Sequence, residues 1–448
     1  MLRSQHALMR LIAVSVAACG AVAAIVSSAP AAAANGPGPV TPSCAWPYAV
    51  NADTIASNPA YNVSNPDTAA DYWIMDFTVQ QGLSITLSGR FPDSRYMSFA
   101  VYGANGAPFT DNGIGSELTD YLIAPDHGSV NPWQPGSRHH STGHHGIRPG
   151  GRYTVTLRSD VTPGETNALP LAPPGTPAGI TGSIFFRVYV SNGSPGQVPV
   201  PTVTFTQNGI SQRIHQCPPG VATPPDTDAP VHGAAPAAGS AGPSAAATSA
   251  GILPFARYTP GTNTPNPDTG QLRAAVLPPP SGDVMVIRAK APTTPRGSQP
   301  SPWPAAGEDL RYWSMCIDVD VSPIPVVVNK LPDGTVDYGC RYDSQVRLDR
   351  NGYYTIVVGT EPERAAIERI PGATFLPFSV TYPTQPHLLF LRNMLANPAF
   401  AQAAQNVPDN GIAESAESVM GPYYPQSAIC PLATLASGGP EACLSGTS

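Results

Sequence analysis

The sequence predicts a mainly-β fold: two related antiparallel β-sandwich domains, jelly-roll-like, followed by a short C-terminal helical segment. Three observations carry that expectation. Short stretches recur in the same order about two hundred residues apart, apolar and polar residues alternate with period two, and Gly and Pro punctuate the chain at short intervals. The echoes are specific. Asn65-Pro66-Asp67-Thr68 returns as Asn266-Pro267-Asp268-Thr269, and residues 82–87 (Gly-Leu-Ser-Ile-Thr-Leu) are answered by residues 282–287 (Gly-Asp-Val-Met-Val-Ile). Arg95-Tyr96-Met97-Ser98 returns as Arg311-Tyr312-Trp313-Ser314, and Tyr153-Thr154-Val155 as Tyr354-Thr355-Ile356. The offsets are 201, 200, 216 and 201 residues. Alternation alone makes strands look alike, but it does not reproduce an Asn-Pro-Asp-Thr or an Arg-Tyr pair in register, so the chain reads as one duplicated β unit.

Residues 1–34 read as an export signal. Arg3 and Arg10 form a cationic head, residues 11–26 are apolar, and residues 28–34 supply the small side chains that a signal peptidase accepts, with cleavage after Ala34. Val16-Ala17-Ala18-Cys19 also fits a lipobox, which would acylate Cys19 and anchor the protein to a membrane. The residues after Cys19 stay apolar, which favours plain secretion. The apolar run is shorter and richer in Ala than a spanning helix needs, so no transmembrane span is expected in the mature chain.

The first sandwich is assigned to residues 35–217. In residues 73–79 Ile74, Asp76 and Thr78 alternate with Met75, Phe77 and Val79, and Leu83, Ile85 and Leu87 then share one face. Residues 97–102 form a third strand, closed by Gly103-Ala104-Asn105-Gly106, whose Asn-Gly suits the positive φ of a tight turn. Further strands fall at 153–157, 184–190 and 203–205. Residues 218–250 are almost wholly Pro, Ala, Gly, Ser and Thr, too poor in apolar surface to offset the entropy of ordering, and are read as a linker. The second sandwich is assigned to 251–386, with strands at 284–288, 312–319, 325–328 and 353–358. A Pro-rich insertion at 291–308 explains the larger offset of the Arg-Tyr echo. Residues 387–448 are read as a helix and a disulfide-closed tail, because Leu388, Leu391 and Leu395, with Phe390 and Met394, recur at helical spacing over 387–405.

Cysteine usage agrees with export. Of seven cysteines Cys19 lies in the leader, and the remaining six are an even set without the C-x-x-C spacing of zinc or thioredoxin-like sites. Cys44 and Cys217 bracket the first unit, Cys316 and Cys340 sit in consecutive strands, and Cys430 and Cys443 close a short terminal loop, so those three pairings are expected. Loss of residues 1–34 removes two arginines and no acids, taking the formal charge from -7 to -9. A mildly acidic surface without a basic stripe argues against nucleic acid as a partner.

Several stretches resemble the exported bacterial β-sandwich proteins called domain-of-unknown-function 1214. They are Arg95-Tyr96-Met97-Ser98-Phe99-Ala100-Val101-Tyr102, Ile184-Phe185-Phe186-Arg187-Val188-Tyr189, the strand that starts Arg311-Tyr312-Trp313-Ser314, and Leu331-Pro332-Asp333-Gly334-Thr335-Val336-Asp337-Tyr338. The resemblance covers about a third of the chain. It implies a sandwich and an exported location, and it transfers no catalytic residue, because the family has no established activity.

Histidine forms the sharpest cluster of potential ligands. His127, His139, His140, His144 and His145 fall within one short stretch, with Asp126 beside the first. Neutral imidazoles suit a divalent metal, while the surrounding Ser, Thr and Gly suit a solvated loop, and no resident cofactor is expected. Asp93 precedes Arg95, and Glu308 and Asp309 precede Arg311, spacings that pair acid and arginine on one side of a strand. Ser129 beside Asp126 and His127 brings nucleophile, base and acid types together, but triads assemble in space and not along the chain. No Gly-x-Ser-x-Gly elbow, P-loop or dinucleotide glycine motif occurs. The expected function is a secreted or cell-envelope-associated non-catalytic protein that binds a neutral glycan or a lipid-like envelope component, at a groove between the two units. The alternatives are an envelope-directed hydrolase or isomerase with paired carboxylates, and a metal-binding protein using the His-rich loop.

Overall fold

The computed structural model describes residues 38–136, 151–218, 252–259 and 264–445. Residues 1–37, with the expected leader, the segment 219–250 and the stretch holding His139, His140, His144 and His145 lie outside the described residues. Twelve strands build the first half: β1 (Tyr48–Val50), β2 (Ala70–Thr78), β3 (Ser84–Arg90), β4 (Ser94–Tyr102), β5 (Thr110–Asp111), β6 (Ile114–Gly115), β7 (Glu117–Thr119), β8 (Arg152–Arg158), β9 (Ala168–Pro170), β10 (Thr181–Ser191), β11 (Thr202–Gln207) and β12 (Ile210–Ile214). Eleven build the second: β13 (Ile252–Ala256), β14 (Thr269–Val276), β15 (Asp283–Lys290), β16 (Leu310–Val319), β17 (Val328–Lys330), β18 (Val336–Tyr338), β19 (Cys340–Tyr342), β20 (Tyr353–Gly359), β21 (Ala373–Pro377), β22 (His387–Ala396) and β23 (Gln426–Pro431).

Both halves use the same strand order. One sheet runs β1-β2-β10-β4-β7 and its counterpart β13-β14-β22-β16-β19. The facing sheets run β11-β3-β8-β9 and β23-β15-β20-β21, with β12 added at the edge of the first. Pairing is antiparallel except for β8 with β9 and β20 with β21, and these parallel pairs occupy equivalent places. Identical order with an identical exception is what duplication produces.

Alternation explains the two cores. Ile85, Leu87, Val155 and Leu157 point inward and meet Met75, Phe77, Phe99 and Phe186 of the other sheet. Met285, Ile287, Ile356 and Val358 likewise meet Met315, Ile317, Leu389 and Leu391. β4 and β16 are buried at every residue. Their inner side chains fill the sandwiches, and their outer ones meet each other, with Tyr96, Tyr189, Tyr312 and Met394 in one cluster. Two sandwiches therefore pack through these outer faces, and a strand covered on both sides loses the polar half of its pattern.

The same effect corrects the helix read at 387–405. Residues 387–396 are the central strand β22, hydrogen-bonded to β14 and β16, and nine of its ten residues are buried. Leu388-Leu389-Phe390-Leu391 is apolar at every position, so it satisfies the helical period without being helical. The boundary at 386 moves with it: β22 and β23 belong to the second sandwich. The helical segment lies further on, at Ala413–Met420 and Leu432–Leu444. The latter follows β23 where β12 follows β11, and its Leu435 and Cys443 cover Val284, Val286 and Val357 on the outer face of the sheet.

All three expected disulfides form: Cys44–Cys217, Cys316–Cys340 and Cys430–Cys443. The first closes 173 residues and ties the start of the first half to its end. The second joins directly opposed residues of β16 and β19.

Candidate functional site

The repeated arginines do not pair with the acids that precede them. Asp93 instead accepts a hydrogen bond from the Asn192 side chain at 3.0 Å. Arg95, fully buried, reaches into the other half: its Nη1 donates to both Asp343 oxygens at 2.6 and 2.5 Å, and its Nε and Nη2 donate to the Gly297 carbonyl. Arg311 returns the gesture to Asp120, which follows β7 as Asp343 follows β19, at 3.4 Å. The exchange is reciprocal, because each arginine begins a strand of the outer face and the halves meet face to face there. A third and fourth contact obey the same swap. Asp67 accepts from the Tyr312 and Ser314 hydroxyls at 2.8 and 2.7 Å, and Asp268 accepts from those of Tyr96 and Thr119 at 2.9 and 2.5 Å.

Beside this junction lies a cleft with an empty volume of about 870 Å³, counting the space at its open mouth. The first half contributes Tyr48, Val50, Tyr61, Asn65, Tyr72, Ile74, Phe185, Arg187 and Tyr189, and the second Thr264, Asn266, Thr269, Gln271 and Arg392. β-Strand geometry makes this wall: Tyr72 opposes Arg187 and Ile74 opposes Phe185 across β2 and β10, so all four point to the outer face. Arg187 and Arg392 sit at equivalent registers, opposite Ser98 and Ser314. Arg187 lies over the rings of Phe185 and Tyr102, at 4.8 and 5.4 Å, and Arg392 over Phe390 at 5.2 Å. Ser64, Asn65 and Thr264 on the rim have φ of 60°, 48° and 47°, a left-handed backbone that Asn adopts more readily than most residues and that is uncommon for Ser and Thr.

Carboxyl groups cluster behind the cleft. Burial drives the Glu117 carboxyl well above its usual range, and the Asp268 charge nearby adds to the effect. The Tyr96 hydroxyl bridges that pair, at 3.3 Å from Glu117 and 2.9 Å from Asp268. Burial raises Asp318 to about 8 against the attraction of Arg392, and Asp120 to about 6 against that of Arg311. The cleft lining itself contains no carboxylate among the described residues.

The structure places the other expected site residues apart from this cleft. His127 is exposed in a turn, and the Asp126 carboxylate accepts from the Thr154 hydroxyl at 3.3 Å. The remaining four histidines of the cluster fall outside the described residues. Among the described residues one set with metal-ligand spacing occurs, Asp67 with Cys316 and Cys340, but those two sulfurs form a disulfide. Reasoning from sequence missed Arg187 and Arg392. A fifth echo marks them, Phe185-Phe186-Arg187 against Phe390-Leu391-Arg392, hidden because the second copy resembled a helix.

No family model matches the chain, and no curated protein matches it. Among solved structures it is similar to an uncharacterized protein from Burkholderia cenocepacia, at 13% identity and a TM-score of 0.42 over 83% of this chain and 79% of that one. It is also similar to the VPA0106 protein from Vibrio parahaemolyticus, at 14% identity and a TM-score of 0.38 over 83% and 90%.

Proposed function

We propose that this chain is an exported, envelope-associated binding protein, and that a small lipid-like ligand occupies the cleft between its two halves. The observation that carries this reading is the lining: Val50, Ile74 and Phe185 form an apolar wall, flanked by hydroxyl, amide and guanidinium groups from both halves. Ligand sites in general combine a concave apolar surface with a small number of fixed polar groups. Export is supported by the three disulfides and by the leader at 1–34. Among the described residues no helix is long and apolar enough to cross a membrane. The lining favours a lipid-like component over a neutral glycan, because the larger part of its exposed surface is apolar. It favours binding over hydrolysis by paired carboxylates, because Glu117 and Asp268 lie outside it.

Nile red, a neutral apolar fluorophore, tests the reading. The mature protein should bind it with a rise in emission, and Ile74→Trp, which fills the wall, should abolish that binding while leaving the melting temperature within a few degrees. Undiminished binding by the Ile74→Trp variant would contradict a cleft site.

A further inference from the structure

Arg187 and Arg392 are only 2% and 3% exposed, yet neither is fully used by the protein. Arg187 Nη2 donates to the Tyr102 hydroxyl at 2.7 Å and the Thr264 carbonyl at 2.9 Å, and Arg392 Nη2 donates to the Asn65 carbonyl at 2.6 Å. Nη1 of each is buried with no hydrogen-bond partner among the described residues. A guanidinium carries five donors and no acceptor, and a buried donor without a partner is costly to keep. Both copies carry such a donor at the equivalent position, and both side chains line the same cleft.

The neighbouring acids do not cancel these charges. Glu117 and Asp268 stand near Arg187, and Asp67 and Asp318 near Arg392. Burial favours the neutral form of the Glu117 carboxyl and raises Asp318 to about 8. The Asp67 oxygens are already engaged by Tyr312, Ser314 and the Ala69 backbone N–H. Among the described residues neither arginine forms an ion pair with any of these carboxyls, and the Nη1 atom of each stays without an acceptor.

Building on the cleft-binding reading, we propose that the ligand is an amphipathic acid, whose oxyanion head group, a carboxylate or a phosphate, accepts from the free Nη1 donors of Arg187 and Arg392. Its apolar part lies on Val50, Ile74 and Phe185. Arginine suits the role, because its planar fork matches either oxyanion and stays charged when buried.

Displacement of Nile red from the full mature protein tests this with three probes: decanoate, decyl phosphate and methyl decanoate. At least one acid should displace the dye at a concentration about tenfold or more below that of the neutral ester, the worth of a hydrogen bond to a charged group. Whichever acid is stronger identifies the head group. Arg392→Gln should collapse the preference of acid over ester, and Arg392→Lys should restore part of it. A structural role for Arg392 would lower stability in both variants without altering that ratio. If the ester displaces the dye as well as both acids do, the anion proposal is wrong while the cleft reading stands. Failure of the wild-type protein to bind Nile red at all removes both. The comparison of probes on the unaltered protein decides the matter even if the arginine variants do not fold.

Discussion

The two halves repeat one strand order, but they treat equivalent positions differently. Arg95 of the first half is saturated, with every nitrogen donating to Asp343, Ser344 or Gly297. Its counterpart Arg311 donates from Nη1 to the Arg95 carbonyl at 2.9 Å and to Asp120 at 3.4 Å, while its Nε and Nη2 are buried without partners among the described residues. The position seven residues further along the same strand differs as well. The Tyr102 hydroxyl in the first half accepts from Arg187, whereas Asp318, which takes its place in the second, has both oxygens unpaired among the described residues. Duplication thus preserves the scaffold and lets the polar chemistry between the copies diverge.

The arginine contrast predicts the largest effect. Replacing Arg95 with Met strands a buried carboxylate at Asp343, and breaking a buried pair in that way costs about 3–5 kcal/mol. Arg311→Met removes a longer contact along with two unpaired donors, and Asp120, already raised to about 6, protonates readily. Its cost should be roughly 1–2 kcal/mol, within the usual range for single substitutions. Urea denaturation of both variants measures the difference. Equal losses would mean that the two pairs are energetically equivalent and that the asymmetry in geometry has no consequence.

A smaller effect follows from Asp318. Its pKa in the folded protein is about 8, far above that of an unfolded aspartate, so the native state holds the proton more tightly. The stability this contributes is complete below the unfolded value near pH 4 and is lost as pH rises through about 8. Stability should therefore fall between pH 6 and pH 9, by roughly 2 kcal/mol from this group alone. Asp318→Asn should flatten that slope. A profile that keeps its full slope in the variant would move the pH sensitivity elsewhere in the second half.

Much of the scaffold was legible in the sequence because it rests on local signals. The Asn-Pro-Asp-Thr and Arg-Tyr echoes revealed the repeat, and the order of the six cysteines along the chain matched their spatial pairing. β22 was not legible, since burial on both faces erases the alternation that distinguishes a strand. Nor were the partners of Arg95 and Arg311. Asp120 and Asp343 follow strands of only three residues and sit among dissimilar neighbours, Tyr121 in one copy and Ser344 in the other. Contacts that swap between copies leave no trace in spacing along either one. The cleft arginines fall between these cases: their Phe-x-Arg echo was present, but it became readable only once residues 387–396 were known to be a strand.

A crystal structure of the mature protein soaked with decanoate tests the central claim most directly. The account predicts the carboxylate within hydrogen-bond distance of Nη1 of both Arg187 and Arg392, with the alkyl chain along Ile74 and Phe185. Decanoate bound elsewhere on the molecule, or in the cleft with its carboxylate turned to solvent and both Nη1 atoms untouched, would contradict it.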